Sequence, residues 1–406
     1  MAEQKASAFD DTDQKCVNNI GVLAADMVQK ANSGHPGAPM GMAAIAHVLW
    51  TKIMNGNSSN SSWANRDRFV LSNGHACALQ YVMLHLCGYK IGMDDLKAFR
   101  QLNSITPGHP ENFVTDGVEL STGPLGQGIA QAVGLAIASK YAQSMFGDTL
   151  FNNKVYVLCG DGCMQEGVAS EASSLAGHLE LNNLVLIYDD NDIQIDGGTK
   201  LAFTEDVGAR YEAYGWRVLY VEDGNTDLAA LEEAILKGKA SEDKPTLICV
   251  KTKIGYKSLK EGTHKVHGSP LGDEALKDYK SKMGFDPEQT FVVDEAVYAR
   301  YRDTFTKRGQ QAEAQWAAAR KEWAQQNPEQ DQLLERLLQG QLPANWEAAL
   351  PKFDENSKPA ASRNINGEVL NAIAKVMPEL IGGAADLTPS TKTALKCSHD
   401  FQGLLE

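Results

Sequence analysis

The sequence of 406 residues has no long apolar run, no excess of basic residues and few cysteines. No stretch approaches the roughly 18 consecutive apolar residues that a membrane-spanning helix requires. Lysine and arginine total 38 against 52 aspartates and glutamates, and the net charge of −14 argues against nonspecific binding to nucleic acid or anionic membranes. The seven cysteines form no CxxC pair, which is typical of reduced thiols in a cytosolic compartment.

The amino-terminal segment also lacks the features of a targeting sequence. Residues 1–15 are polar and acidic, with neither the apolar core of a secretory signal nor the arginine-rich pattern of a transit peptide. We therefore expect a cytoplasmic protein. A plastid precursor without its leader would look similar, so that compartment stays open.

Short apolar runs alternate with helical patterns over the first 250 residues. The runs are rich in branched and aromatic residues and lack polar alternation, as expected for parallel strands buried on both faces. Their alternation with helices predicts an α/β fold with a doubly wound, mostly parallel sheet. The predicted strands are 69–71, 155–159, 184–188, 218–221 and 246–250, and the predicted helices include 13–33, 40–55, 128–145, 167–178 and 227–237.

A change in composition suggests two domains. Residues 1–320 form the first domain, which ends in a charged helical extension. Residues 321–362 are interpreted as a linker. Residues 363–406 look like the start of a second, truncated α/β domain, too short to bury a core of its own.

The strongest local motif is GDGCMQEG, Gly160 to Gly167, which directly follows a predicted strand. The glycines around Asp161 allow a ligand to approach, and the next helix would point its amino terminus at the same crevice. Asn191 lies 191 − 161 = 30 residues later, about the spacing of two parallel strands joined by a helix. A carboxylate and an amide oxygen are therefore predicted to meet beside a bound diphosphate. A simple tight turn is the alternative.

Oxygen ligands at this position predict a hard divalent cation. Asp161, the amide of Asn191, the carbonyl of Ile193 and two phosphate oxygens make an all-oxygen set, which suits Mg²⁺ or Ca²⁺ and not zinc. The pattern does not choose between these two ions. A dinucleotide-binding loop is excluded because Gln165 stands where that motif has its third glycine.

Four of the nine histidines stand next to a glycine in loops. Glycine gives a ligand access, and imidazole supplies hydrogen-bond donors or a proton carrier near neutral pH. Zinc is the alternative use of histidine, but these residues are scattered and have no cysteine pair nearby. The four are His35, His75, His109 and His267.

Together these motifs resemble the transketolase family, whose members are thiamine-diphosphate enzymes. The matching segments stand in the family's order and extend from about Asp13 to Thr393. They are SGHPGAPMGMA, RFVLSNGHA, TPGHPE, TGPLGQG, GDGCMQEG with Asn191, KTKIGY, VHGSPLG and ELIGGAADLTPS.

The resemblance implies roles for individual residues. It implies that Asp161, Asn191 and the Ile193 carbonyl bind the metal ion. His35 and His267 match catalytic residues that contact substrate oxygens and assist proton transfer. The residues implied to contact the cofactor are His75, Gly123, Pro124, Leu125, Gly162, Asn191, His267 and Asp386, and those implied to contact the substrate are His35, His109, His267, Arg363 and Ser390.

The resemblance also implies a function and an assembly. Residues 1–320 would bind the diphosphate of thiamine diphosphate, and residues 363–406 would begin the domain that binds its pyrimidine. The family transfers a two-carbon ketol unit from a ketose phosphate, such as xylulose 5-phosphate, to an aldose phosphate, such as ribose 5-phosphate. This reaction belongs to the pentose phosphate pathway and the Calvin cycle, and the active sites form between the two subunits of a homodimer.

Two alternatives stay open for the function. Dihydroxyacetone synthase resembles transketolase but passes the ketol unit to formaldehyde, and the sequence does not reveal the acceptor. The other alternative is a catalytically incompetent fragment that binds only diphosphate and metal. A glutamate that activates the cofactor in the family is expected beyond Glu406, so we expect the isolated chain to lack transketolase turnover.

Overall fold

The computed structural model describes residues 9–403, so the first half of the polar amino-terminal segment lies outside the described residues. The chain forms two compact units, Met1–Arg320 and Lys321–Glu406. Within residues 9–403, no helix has both the length and the apolar character needed to cross a bilayer. All seven cysteines are free, and all except Cys397 are buried.

A five-stranded sheet forms the centre of the first unit. The strands are β1 (Arg68–Leu71), β2 (Val155–Gly160), β3 (Leu184–Asp190), β4 (Arg217–Val221) and β5 (Thr246–Lys251). Their spatial order is β1-β2-β3-β5-β4, and every neighbouring pair is parallel. The predicted parallel α/β sheet is confirmed, and each strand is one or two residues longer than its predicted range.

Helices supply the layers on both faces of the sheet and most of the remaining chain. The α-helices are α1 (Asp11–Ala31), α2 (Gly37–Gly41), α3 (Ala43–Val48), α4 (Cys77–Leu86), α5 (Met93–Lys97), α6 (Gln127–Phe146), α7 (Asp161–Met164), α8 (Gly167–His178), α9 (Val207–Ala213), α10 (Leu228–Lys239), α11 (Asp273–Lys282), α12 (Glu295–Tyr301), α13 (Lys307–Gln326), α14 (Pro328–Leu338), α15 (Ser362–Ala374) and α16 (Thr388–Thr391). One-turn 3₁₀ helices occur at Gly74–Ala76, Thr199–Leu201, His264–Val266 and Trp346–Ala349, and π-helical turns at Leu49–Ile53 and Arg302–Thr306.

The two faces of the sheet bury different layers. Val185 and Ile187 of β3 belong to the same core cluster as Ile235 of α10. Because side chains alternate along a strand, Leu186 points to the opposite face, where α6 packs against β1, β2 and β3. Both faces are therefore covered, and the open edge for ligands is the carboxyl end of the strands.

The first helix begins two residues earlier than its apolar pattern predicts. The Asp10 side chain accepts hydrogen bonds from the backbone N–H groups of Thr12 and Asp13, and the Asp13 side chain accepts one from the backbone N–H of Asp10. This capping box satisfies donors that would otherwise lack partners. At the other end Asn32 adopts a left-handed conformation with φ 49°, which stops the helix before Ser33.

The predicted helix over residues 40–55 is interrupted in the structure. Chain from Gly37 to Ile53 forms α2, α3 and a π-helical turn, in which Met54 N–H bonds to the Leu49 carbonyl five residues back. Nearly all of this segment is buried, so packing from several sides overrides the regular α-helical period.

The second unit contains helices but no strand among its described residues. Segment 321–362, interpreted as a linker, is helical up to Leu338 except for a break at Asn327, and mostly irregular afterwards. Within this unit, Glu379 forms a bidentate ion pair with Arg336 of α14, at 2.8 and 2.9 Å.

Candidate active site

The candidate site lies where β2 and β3 end. These strands are parallel neighbours, and Gly160 of β2 stands opposite Asp189 of β3. Asp161 directly follows β2, and Asn191 directly follows β3, so both emerge at the same edge of the sheet. Together with Ile193 they line a cavity of about 320 Å³. The three residues predicted to bind a metal ion are thus brought together.

The Asp161 carboxylate is buried and only half satisfied. The Tyr188 hydroxyl of β3 donates to Oδ1, whereas Oδ2 is buried and has no hydrogen-bond partner among residues 9–403. Burial raises the pKa of Asp161 to about 7, against the lowering effect of the Tyr188 bond and with a further increase from neighbouring aspartates. A buried carboxylate oxygen without a partner is costly, and a bound cation would remove that cost.

The Asn191 amide is held at both of its polar atoms. Its Nδ2 donates to Asp189 Oδ2 at 2.8 Å, and its Oδ1 accepts from the Ile193 N–H at 3.0 Å. An amide oxygen has two lone pairs, so one stays available. Asp161, Asn191 and the Ile193 carbonyl therefore fit Mg²⁺ or Ca²⁺. Residues 9–403 contain no group of three His, Cys, Asp or Glu side chains placed to hold a metal ion.

Glycines keep the cavity open beside this oxygen set. A Cβ added at Gly162 would lie 2.7 Å from Leu125 Cδ1, so a side chain there would displace a residue of the cavity wall. Gly123 has φ +156°, and its added Cβ would lie 3.4 Å from the His109 ring. The backbone at both positions can approach a ligand closely.

Three histidines from distant parts of the sequence form a compact cluster in the same cavity. The His35 ring lies 4.8 Å from the His75 ring and 5.7 Å from the His267 ring, measured between centroids. His75 and His267 stack at 5.2 Å with an interplanar angle of 22°. His267 Nδ1 is buried and has no hydrogen-bond partner in the described structure. The cluster therefore offers polar atoms to a ligand.

The loop that carries His35 is fixed against two other loops. Gly37 accepts a backbone hydrogen bond from Gly255 N–H at 2.9 Å. A Cβ at Gly37 would lie 2.7 Å from both the Ile254 side chain and the Val266 carbonyl oxygen. Only glycine permits this approach, which brings the His35 loop to the segment preceding His267.

Sequence and structure comparisons identify what this arrangement belongs to. Residues 12–343 match the family model described as "Transketolase, thiamine diphosphate binding domain". The chain belongs to the transketolase family. The resemblance predicted from its motifs is confirmed.

The transketolase relatives match nearly the whole chain. Transketolase 1 of Saccharomyces cerevisiae is 55% identical over 397 residues, which cover 97% of this chain and 58% of the relative. A chloroplastic transketolase of Zea mays is 49% identical over 394 residues, covering 96% and 58%. The crystal structure of Pichia stipitis transketolase in complex with sedoheptulose 7-phosphate superposes with a TM-score of 0.95 at 48% identity, covering 97% and 58%. The chain thus spans about 58% of the length of these relatives.

Within this transketolase fold, most predicted site residues of the first unit line one cavity. They are His35, His75, His109, Gly123, Leu125, Asp161, Gly162, Asn191, Ile193 and His267. Pro124 is exposed and does not line it. Arg363, Asp386 and Ser390 belong to the second unit and are exposed there.

Sequence reasoning missed several residues of the site. Asn73 lines the cavity, and its Oδ1 is buried without a partner in the described structure. Asp189 and Tyr188 hold the two predicted metal-binding side chains. Their positions in the sequence were a signal that could have identified Asn73 and Asp189. Asn73 directly precedes the Gly–His pair of its loop, and Asp189 stands two residues before Asn191.

His35 is predicted to stay neutral well below neutral pH. Burial, followed by the charges of His267 and Arg100, lowers its pKa to about 4. The unfolded chain would protonate this group near pH 6.5, so its contribution to stability is present above pH 6.5 and is lost as the pH falls toward 4. We expect the Cε1 proton of His35 to titrate near pH 4 in an NMR experiment on the folded chain. Its resonance is assigned by its disappearance in His35→Gln, and a midpoint near 6.5 would contradict the burial of this ring.

Proposed function

We propose that this chain is the cofactor-binding part of a transketolase. The reaction would transfer a two-carbon ketol unit from a ketose phosphate to an aldose phosphate, with thiamine diphosphate and Mg²⁺ or Ca²⁺. One observation carries the proposal: an unpartnered Asp161 oxygen, the Asn191 amide and three clustered histidines share one cavity at the carboxyl end of a parallel sheet. The sugar phosphate named with the Pichia stipitis structure supports the substrate class.

The metal-binding residues would hold the cofactor's diphosphate through the ion. Asp161, Asn191 and the Ile193 carbonyl supply three oxygens, and the diphosphate would complete the coordination. Gly162, Leu125, Gly123 and His75 would border the cofactor, whereas the exposed position of Pro124 gives no support for a contact. When bound, thiamine diphosphate supplies an electron sink for cleavage of a carbon–carbon bond.

The histidines would form hydrogen bonds with the substrate hydroxyl groups and transfer protons to and from them. Arg100 Nη2 lies 3.5 Å from His35 Nδ1, and a guanidinium can only donate, so Nδ1 accepts. The proton of neutral His35 then sits on Nε2, where it can be donated to a substrate oxygen. His267 would contact substrate and cofactor, and His109 would bond the donor sugar.

Three residues of the second unit are also proposed to contact the substrate or the cofactor. Arg363 and Ser390 are proposed to bind the substrate phosphate, because a guanidinium forms paired bonds with phosphate oxygens. Asp386 is proposed to lie near the cofactor. In this assignment residues 1–320 are the diphosphate-binding domain with its helical extension, 321–362 the linker, and 363–406 the start of the pyrimidine-binding domain.

A homodimer and a cytoplasmic location complete the proposal. The side chains of Leu102 and Phe113 are exposed at 93% and 100%, and large exposed apolar residues support an interface with a second copy. Seven unpaired thiols support a reducing compartment. Neither nucleic acid nor membrane is a proposed partner.

A fusion protein would test the proposed reaction. The chain would be joined to the part of Saccharomyces cerevisiae transketolase 1 that lies beyond the matched region. With thiamine diphosphate and Mg²⁺, we expect conversion of xylulose 5-phosphate and ribose 5-phosphate, measured by chromatography of the sugar phosphates. The chain alone, under the same conditions, should show no turnover.

The same assay separates the alternatives. His267→Ala in the fusion should remove most of the turnover, which shows that the activity depends on this chain's residues. Formaldehyde replaces ribose 5-phosphate in a parallel reaction, and faster transfer to formaldehyde would favour a dihydroxyacetone synthase. A folded fusion that is inactive with both acceptors would leave the chain as a diphosphate-binding module.

A further inference from the structure

The Asp189 carboxylate links the predicted metal-binding residue Asn191 to Thr252, which follows a different strand. It is the sixth residue of β3, its side chain is buried, and it stands two residues before Asn191. Its Oδ2 accepts from Asn191 Nδ2 at 2.8 Å. Its Oδ1 accepts from the hydroxyl of Thr252, directly after β5. Both carboxylate oxygens are thus engaged inside the protein.

The contact with Asp189 determines which way the Asn191 amide faces. A carboxylate only accepts hydrogen bonds, so the atom of Asn191 turned toward Asp189 must be its nitrogen. If the amide were rotated by half a turn, two oxygens would face each other, and Nδ2 would face the N–H of Ile193. Both contacts would be repulsive, so only the observed orientation leaves a lone pair of Oδ1 available to a cation.

We propose that Asp189, fixed by Thr252, is a positioning residue that holds the Asn191 amide oxygen toward the divalent cation. This inference rests on the proposed cofactor site, because it assigns a purpose to the orientation of one of its ligands. Residues that orient a metal ligand typically change metal affinity by about 10- to 100-fold when they are removed.

Thr252 reaches this position through the order of the strands. β5 lies next to β3 although β4 intervenes in the sequence, and Asp189 is opposite Val250 in their register. The Thr252 side chain therefore arrives beside Asp189 two residues later. Its hydroxyl fixes the carboxylate and leaves the other oxygen for Asn191, so removal of the hydroxyl should loosen both contacts.

Asp190 is a matched control for charge. It follows Asp189 directly, and it pairs with Lys251 Nζ at 2.9 Å, with no hydrogen bond to Asn191. If Asp189 acted only through its negative charge near the cation, removing the charge of Asp190 would weaken the binding of the cation almost as much as removing that of Asp189. If Asp189 acts by orientation, only its own removal has the large effect.

Calorimetric titration of the chain with Ca²⁺ at saturating thiamine diphosphate and pH 8 would test the inference. We expect Asp189→Leu to weaken Ca²⁺ binding by about 10- to 100-fold and Asp190→Leu by less than about threefold. Thermal unfolding in EDTA would show whether each variant is folded. Equal weakening by both substitutions would overturn the inference, and so would a folded Asp189→Leu variant with the affinity of the unmodified chain.

Thr252 gives a second test without any change of charge. Thr252→Val keeps the shape of the side chain but removes the hydroxyl, whereas Thr252→Ser keeps the hydroxyl. We expect weaker Ca²⁺ binding in the valine variant and recovery in the serine variant. If both variants bind Ca²⁺ as tightly as the unmodified chain, or if both lose the same amount of Ca²⁺ affinity, the hydroxyl does not position Asp189 and the inference fails.

The unmodified chain and Asp161→Ala separate this inference from the proposed function. If the unmodified chain binds Ca²⁺ and Asp161→Ala does not, the cofactor site stands and the Asp189 and Thr252 variants judge the inference alone. If the unmodified chain with thiamine diphosphate binds no Ca²⁺, the proposed cofactor site fails and the inference falls with it.

Discussion

Replacing Asp161 with asparagine should abolish the metal-dependent binding of thiamine diphosphate. The substitution keeps the size of the side chain but removes the negative charge of the carboxylate. The Oδ2 atom of this carboxylate is buried without a partner in the described structure. We expect the affinity for thiamine diphosphate in Mg²⁺ to fall by at least about 100-fold, more than the loss caused by residues that only orient a ligand. Titration calorimetry with thiamine diphosphate, in Mg²⁺ and in EDTA, would measure the difference.

The matched control for Asp161 is Asp192→Asn. This substitution removes one negative charge from the neighbouring loop. The Asp192 carboxylate pairs with Lys251 at 3.4 Å, and Asp192 does not line the cavity. This variant should bind thiamine diphosphate within about threefold of the unmodified chain, because an exposed charge contributes little. A folded Asp161→Asn chain that still binds the cofactor as tightly in Mg²⁺ as before would rule out Asp161 as a metal ligand.

Replacing Gly177 with alanine should strongly destabilise the first unit. Gly177 lies near the end of α8, and an added Cβ would stand 1.8 Å from the Tyr214 carbonyl oxygen. That oxygen belongs to the backbone and cannot rotate away as a side chain does, so α8 or the chain after α9 must shift. We expect a loss of more than about 3 kcal/mol in the free energy of unfolding, measured by urea denaturation, at the upper end of the usual cost of overpacking.

Gly134→Ala provides the opposite result in the same experiment. Gly134 is also in a helix, α6, but an added Cβ would meet no described atom within 4 Å apart from the adjacent backbone of its own helix. Alanine is the better helix former, so the free energy of unfolding of this variant should rise by about 0.5–1 kcal/mol. If the two substitutions change the unfolding free energy by similar amounts, the close approach of α8 to Tyr214 does not exist in solution.

The sheet and the main site could be predicted because their signals are local. Buried parallel strands are short apolar runs, and the GDG motif stands at the end of one of them. The spacing from Asp161 to Asn191 is determined by one strand–helix–strand unit, which the sequence reveals through its periodicity. The two residues consequently line one cavity, as their spacing predicts.

Contacts that depend on strand order could not be predicted in this way. Thr252 meets Asp189 because β5 is inserted between β3 and β4, and no pattern in the sequence specifies that order. The break between α2 and α3 was missed for a related reason. Its residues are buried on all sides, so no polar stripe marks the point where the helical period changes.

The clustered histidine rings come from segments of the chain that are synthesised at very different times. His35 and His267 are 267 − 35 = 232 residues apart, yet their centroids lie 5.7 Å from each other. At a synthesis rate of roughly 5–20 residues per second, the ribosome delivers the second ring about 10–50 s after the first. The nascent polypeptide must therefore carry the loop around Gly37 uncovered until Ile254 and Val266 emerge to close over it.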